Sequence, residues 1–190
     1  MERVGALPSE VAELLADAVR QHQNILVSGG TGAGKTTLLT ALASTVSANE
    51  RIIVIEDTAE IQIATRNLVR LEARREQRGL PAVTVRNLLR ASLRLRPDRI
   101  LVGEIRGEEA FDLLQALNTG HRGTISTTHA NSAAESLDRF LTCVQMANLR
   151  LEDASICRQI AHGVQLLVHM DRRDGQPLSL RLHRAVQRQV

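Results

Sequence analysis

The chain has 190 residues, 43% of them hydrophobic and 1% aromatic, with a formal net charge of +3. That length suits one domain, the near-absence of aromatics calls for an aliphatic core of Leu, Ile, Val and Ala, and no apolar run approaches the ~18 residues that span a bilayer. Met1 to Ala6 lacks the apolar stretch of a signal peptide, and Cys143 and Cys157 lack C-x-x-C spacing, so the expectation is a cytosolic α/β protein with two reduced thiols on helices and neither a zinc site nor a disulfide framework.

Ser9 is the candidate cap of a first helix, Glu10 to Gln21, in which Val11, Leu14, Leu15, Ala18 and Val19 fall at helical spacing. A strand-like run, Asn24 to Ser28, then leads into GGTGAGKTT, Gly29 to Thr37, and a helical pattern continues from Thr37 to Val46. This segment fits G-x-x-x-x-G-K-[ST] in the strand, loop, helix context that the motif requires. Its Lys35 is the only lysine of the chain; every other positive side chain is an arginine. Glycines let successive N–H groups turn inward onto phosphate oxygens, and the helix that follows offers its positive end. Gly29, Gly30, Thr31, Gly32, Ala33, Gly34, Lys35, Thr36 and Thr37 are therefore the expected nucleotide cradle, with Lys35 reaching the β- and γ-phosphates and Thr36 a ligand of Mg²⁺.

Arg51 to Ile55 reads as a buried parallel strand, followed directly by Glu56, Asp57 and Glu60. Carboxylates there can orient a water against the γ-phosphate or hold hydrated Mg²⁺, the alternative being acids that merely face solvent. Val69 to Leu71 is a possible strand, and Arg74 to Pro81, broken by Gly79, reads as an exposed loop. An amphipathic helix over Val85 to Leu95 is stopped by Pro97. Ile100 to Val102 is a short strand within RILVGEIR, Arg99 to Arg106, whose hydrophobic run leads to Glu104 and which resembles a Walker B element with Gly103 where many such enzymes place an aspartate. A carboxylate at Glu104 can hold Mg²⁺ through water or polarise the nucleophile.

A helix over Glu108 to Asn118 and a β-prone run over Thr124 to Thr128 come next. They bring Thr127, Thr128 and His129 to a strand end where they could contact the γ-phosphate. His121 and His129 lack metal-ligand spacing, which discounts zinc. Helices are expected over Ala133 to Ala147 and Leu151 to Ala161, then strands over Leu166 to Met170 and Leu178 to His183, turned by Asp174 and Gly175.

Alternating strands and helices argue for a mainly parallel sheet with helices on both faces, whose ligands bind at the carboxyl ends of the strands. Three polar constellations stand just after strands, as that rule demands. Between Arg66 and Arg106 lie eleven arginines against Glu72, Glu76, Asp98 and Glu104. With almost no aromatics to stack bases, solvated faces and subunit contacts explain that basic stretch better than nucleic acid does.

Taken together, GGTGAGKTT, the acidic box EDTAE, LRPDRILVGEIRG and TGHRGTISTTHANS resemble the secretion ATPase superfamily, the motors of type II and type IV secretion and of type IV and Tad pilus assembly. LVRLEAR and the histidine box with HANS are most similar to the type IV secretion and Tad pilus branch, as is the absence of a four-cysteine module. The resemblance spans nearly the whole chain. It implies a P-loop NTPase fold with a RecA-like sheet, ATP and Mg²⁺ as ligands, and Walker A at Gly29 to Thr36. It further implies an Asp box at Glu56, Asp57 and Glu60, Walker B at Glu104, and a His box at His129, opened by His121. Glu60 best matches the residue that positions or deprotonates the attacking water, with Glu56 second, and Glu104 would organise Mg²⁺.

The family works as hexameric rings, peripheral to the inner membrane on the cytoplasmic side, against the platform proteins of a secretion or pilus system. Family members carry a further domain ahead of this one, so residues 1–190 are expected to be the C-terminal motor domain alone, which would slow hydrolysis if arginines of the other domain are needed. Two rival readings stay open: a nucleotide-binding assembly module with little turnover, and a DNA-translocating ATPase.

Overall fold

The computed structural model describes residues 8–171 and 179–184. In chain order the elements are α1 (Ser9–Arg20), β1 (Ile25–Gly29), α2 (Lys35–Ala43), β2 (Ile52–Glu56), β3 (Leu68–Glu72), α3 (Val85–Ser92), β4 (Arg99–Ile105), α4 (Glu109–Asn118), β5 (Ile125–His129), α5 (Ala133–Gln145), α6 (Asp153–Gly163), β6 (Leu166–Asp171) and β7 (Ser179–Arg184). They form a seven-stranded sheet in the order β3-β2-β4-β5-β1-β6-β7, parallel throughout except for β7, which runs antiparallel to β6 at one edge.

The central strands are short aliphatic runs because both of their faces are covered, so a strand such as IIVIE is buried at every position. On one face Val27, Val54, Leu101, Ile125 and Val168 pack beneath α1 and α2, meeting Leu15, Val19, Leu38 and Leu39. On the other, Leu26, Ile53, Ile100 and Val102 pack beneath α3 to α6, meeting Leu89, Leu113, Phe140 and Ile160. Burial of a Leu or Ile side chain contributes about 1.5–3 kcal/mol, so these two aliphatic layers supply the stability that aromatics provide elsewhere. Cys143 is buried on α5 and Cys157 exposed on α6, both free thiols. Desolvation pushes the Cys143 thiol up from its ordinary pKa, which keeps it an unreactive core residue.

The expected elements all occur, with instructive differences. Pro8, not Ser9, holds the N-cap of α1, and no side chain caps that helix. Thr84 caps α3 through a capping box with Asn87, a signal that the hydrophobic periodicity alone passes over. The stretch expected to be an open loop after β3 is partly ordered as a small ladder, with antiparallel bridges between Arg74 and Val83 and between Gln77 and Leu80. Strand β4 is longer than its apolar centre. Arg99 opens it from a fully buried position, with Nε 2.7 Å from a Glu50 oxygen. Asp174 and Gly175 lie outside the described residues.

Because β2, β4, β5 and β1 are neighbours and parallel, their carboxyl ends line one edge of the sheet. The segments that leave those four ends carry Glu56 and Glu60, Glu104, His129 and the glycine-rich loop.

Candidate functional site

The loop between β1 and α2 is shaped by glycines at two places where no other residue fits. Gly29 has φ 151°, and a β-carbon there would collide with the carbonyl oxygen of Met170 on the adjacent strand. Gly34 is the left-handed N-cap of α2, with φ 92° and no side chain closing the helix end. The first turn of α2 therefore keeps its N–H groups facing the loop, a ready anion seat.

Lys35 opens α2 and is 7% exposed. Its Nζ donates to the carbonyls of Gly29 at 3.0 Å and Gly30 at 2.9 Å and stands 3.4 Å from His129 Nδ1. Desolvation lowers its pKa from the ordinary lysine value, with Glu104 opposing the shift and Arg106 adding to it. A cation this dehydrated is set to gain from an anion beside it.

His129 passes the chain on. Its Nε2 is 3.1 Å from Glu104 Oε1, while Glu104 Oε2 accepts from Arg106 Nη2 at 2.7 Å. Arg106 also reaches Asp57 at 3.6 Å, and its hydrogen bond to Glu104 holds the guanidinium above its ordinary pKa. Lys35, His129, Glu104, Arg106 and Asp57 thus form one line of alternating charge potential across the ends of α2, β5, β4 and β2.

Glu104 faces this line because β4 is irregular there. Its pairing with β5 shifts register between Val102 and Ile105. Strict alternation would turn Glu104 to the same side as Ile100 and Val102, into the apolar layer under α3 to α6; instead Ile105 joins that layer. Thr127 holds the irregularity in place, its Oγ1 donating to the Gly103 carbonyl at 2.6 Å. Thr127 and Thr128 are both buried, so of the three residues expected at this strand end only His129 faces the site.

The acidic box divides into two roles. Glu56 is 5% exposed, and its Oε1 accepts from the backbone N–H groups of both Glu60 and Ile61 at 2.9 Å. It is the anchor of the turn that presents Glu60. The exposed Glu60 places Oε2 3.4 Å from Thr36 Oγ1, which donates to it. A threonine hydroxyl and a nearby carboxylate, next to a phosphate seat, are hard oxygen donors of the kind Mg²⁺ uses when it keeps most of its waters. Among the described residues there is no group of three or more His, Cys, Asp or Glu that could hold a metal by themselves.

A cleft of 420 Å³ opens beside this arrangement, lined by Thr36, Glu60, Glu104 and Arg106 and by Arg74 and Arg75 from the small ladder. Arg106, Arg74 and Arg75 escape a reading that weighs carboxylates and glycines. Arg106 was signalled by its place two residues after Glu104 at the same strand end. His121 is not brought in. It precedes β5, at the sheet edge opposite His129, with Nδ1 buried and unpartnered.

Much of the basic stretch is spent on internal pairs. Arg86 bonds Glu108 and Asp112, Arg90 bonds Asp112, and Arg99 bonds Glu50.

The family described as type II/IV secretion system protein matches residues 1–174. A putative conjugal transfer protein of Mycobacterium tuberculosis is 48% identical over 169 residues, which cover 88% of this chain and 47% of the relative. The type IV secretion system protein PtlH of Bordetella pertussis is 43% identical over 168 residues, 86% of this chain and 50% of its own. The VirB11 ATPase from the Brucella suis type IV secretion system, solved in complex with sulphate, superposes with a TM-score of 0.84 at 32% identity, over 93% of this chain and 52% of that one. The chain thus spans about half the length of the relatives it matches.

Proposed function

The chain belongs to the type II/IV secretion system protein family, a family of nucleotide-binding motor ATPases, and from that premise we infer that residues 1–190 form an ATP-hydrolysing motor domain of a secretion or pilus assembly system. The observation that carries this is the seat of Lys35. A dehydrated ammonium stands between two phosphate-loop carbonyls and His129, at the end of a helix whose N–H groups are uncapped. On binding, the β- and γ-phosphates replace those carbonyls as partners of Nζ, and the loop from Gly29 to Thr37 cradles the remaining oxygens.

Thr36 and, through water, Glu104 would hold Mg²⁺, with Glu60 beside Thr36 as the nearest carboxylate. The ion supplies neutralisation of the charge that develops on the transferring phosphoryl group. Glu60 orients and deprotonates the attacking water from its place across Thr36. His129 lies between Lys35 and Glu104, where it reports the γ-phosphate to the carboxylate. Glu56 acts on the reaction only through the turn it anchors. Glycine-loop chemistry of this type proceeds by positioning and charge stabilisation, which is what a rigid sheet edge offers.

The domain works in a homo-oligomeric ring, hexameric as in the relatives' family, with the platform proteins of an inner-membrane assembly as partners. No helix among the described residues is long and apolar enough to cross a membrane. The ring meets that platform from the cytoplasmic side. Phosphate release from Mg·ATP, measured at rising protein concentration for the wild type, Lys35→Ala and Glu104→Gln, tests this reading. Turnover per subunit that climbs with concentration and vanishes in both variants supports it. ATP bound with no phosphate released at any concentration, even in assembled rings, replaces it with a nucleotide-dependent assembly module.

A further inference from the structure

We propose that Glu109 of α4, which stands outside every motif of the site, is a positioning residue that fixes the turn after β4 and so aims Arg106 at Glu104. Its Oε1 accepts from two successive backbone N–H groups, that of Arg106 at 2.6 Å and that of Gly107 at 2.8 Å. The last register pairs of β4 are Val102 with Ile55 and Ile105 with Thr128, so Arg106 and Gly107 lie past the end of the ladder. The carboxylate supplies the acceptor that a neighbouring strand would otherwise provide. It does so from the first turn of α4, where the helix dipole favours a negative charge. The Ala110 N–H closes the same turn on the Gly107 carbonyl at 3.0 Å. A β-carbon on Gly107 would stand 3.4 Å from Glu109 Oε2 and 3.9 Å from Met146 Sδ, so residue 107 is packed between its anchor and the end of α5.

The turn matters because of what it carries. The Arg106 side chain is 63% exposed, and a long side chain in water is held by its backbone origin and its partners more than by packing. Its Nη2 donates to Glu104 Oε2 at 2.7 Å, and its Nη1 lies 3.6 Å from Asp57. Glu104 Oε1 is meanwhile 3.1 Å from His129 Nε2. The carboxylate of Glu104 is thus gripped from two sides, by β5 through His129 and by the turn after its own strand through Arg106. Glu109 repeats at the end of β4 what Glu56 does at the end of β2. Each accepts two successive backbone N–H groups through one oxygen and thereby presents a charged group to the cleft, Glu60 in one case and Arg106 in the other.

This inference rests on the ATPase reading for its kinetic consequence and on hydrogen bonds alone for its content, and experiments on the full chain read the two separately. Without nucleotide, amide exchange of Arg106 and Gly107 and the Nη–H resonances of Arg106 are recorded for the wild type, Glu109→Ala and Glu109→Gln. Turnover and urea midpoints follow on the same proteins, on Arg106→Ala and on the double variant Arg106→Ala with Glu109→Ala. Glu109→Ala is expected to speed exchange of both amides about tenfold and leave α2 unchanged. It also merges the Nη–H resonances, which stay distinct only while the guanidinium is held. Its kcat falls about tenfold with KM within about threefold. Glu109→Gln, whose amide oxygen still accepts, restores amide protection and most of kcat. In the Arg106→Ala background, Glu109→Ala lowers the urea midpoint as before but changes kcat by less than about twofold, because the group it positions is gone.

Unchanged amides in Glu109→Ala, or a Glu109→Gln as slow as Glu109→Ala, overturns the proposal, the second by assigning the effect to charge. A tenfold loss of kcat that persists without Arg106 overturns it as well, since the effect would then be general destabilisation. Where Arg106→Ala releases too little phosphate to compare, the resonances decide, and distinct Nη–H signals in Glu109→Ala reject the link. Glu109→Asp, whose shorter stem draws the oxygen away from both amides, takes the place of Glu109→Ala if that variant does not fold. A wild type that releases no phosphate, with exchange and resonances as expected, overturns the ATPase reading and leaves the positioning of Arg106 standing.

Discussion

The Cγ of Glu56 stands 3.1 Å from where a β-carbon on Gly103 would sit, so the glycine before Glu104 is the space that the Glu56 side chain occupies. Strands β2 and β4 run side by side, Ile55 opposite Val102, and the next positions are these two residues. The aspartate that many P-loop enzymes carry here has no room on this chain, because its place is taken by the stem of the Asp-box anchor. Gly103→Ala is expected to cost about 1–3 kcal/mol by overpacking, read as a lower urea midpoint, with faster exchange of the Glu60 and Ile61 amides that Glu56 holds. An unchanged midpoint with unchanged amides would show that Glu56 moves aside freely and that the glycine has another reason.

Glu56 and Glu60 separate cleanly by experiment, since one is buried and bonded and the other exposed. Glu56→Ala leaves the buried N–H of Ile61 without its acceptor and is expected to cost about 1–3 kcal/mol, with slowed turnover as a consequence of a loosened turn. Glu60→Gln should leave the unfolding free energy within about 0.5 kcal/mol and reduce kcat by about 10² or more. Full turnover in Glu60→Gln would move the water-positioning role to Glu104.

The sequence announces those parts of the site whose chemistry is local. A glycine, a lysine and a threonine at fixed offsets make the phosphate seat by themselves, and the strands on either side are legible as aliphatic runs. Which carboxylate does what is not local. Glu56, Asp57 and Glu60 look alike along the chain, and only the burial of Glu56 beneath Ile61 and the reach of Glu60 to Thr36 tell anchor from active group. Likewise Glu104 would point into the apolar layer by simple alternation. The register shift that turns it outward depends on a threonine twenty-four residues away in sequence, Thr127, bonding the Gly103 carbonyl.

Lys35 carries a prediction about pH and anions. Its pKa is lowered in the folded protein, so the unfolded chain binds that proton more tightly. The resulting penalty on folding is present in full below the folded-state pKa and disappears as pH rises past the ordinary lysine value. Replacing the ammonium by an apolar chain of similar length removes it. Lys35→Met is therefore expected to unfold at higher urea than the wild type near pH 7, with the difference closing by about pH 11. Inorganic phosphate or sulphate should raise the wild-type midpoint and leave that of Lys35→Met where it was. A phosphate effect equal in both proteins would place the anion elsewhere than the Gly29 to Thr37 loop.

The opposite edge of the sheet supplies a control that tests stability without touching the chemistry. Arg99 begins β4 with a side chain only 1% exposed, paired to Glu50 at 2.7 Å, and its guanidinium leans on Gly123. A β-carbon at 123 would stand 2.6 Å from Arg99 Nη1, and the backbone there has φ 77°, so Gly123 answers both to a close approach and to a left-handed turn. Gly123→Ala is expected to cost about 2–4 kcal/mol from the combined clash and strain. Glu50→Gln strands a buried cation and should cost about 3–5 kcal/mol, whereas Arg99→Met removes the charge with its need for a partner and should cost less than Glu50→Gln. Glu104 lies five residues further along β4, roughly 17 Å away at 3.3 Å per residue. Turnover per folded molecule should therefore be unchanged in all three variants when urea denaturation shows them folded. A fall in kcat for Gly123→Ala that exceeds its unfolded fraction would mean that strain at the foot of β5 reaches His129 along the strand, and that the two edges of the sheet are mechanically coupled.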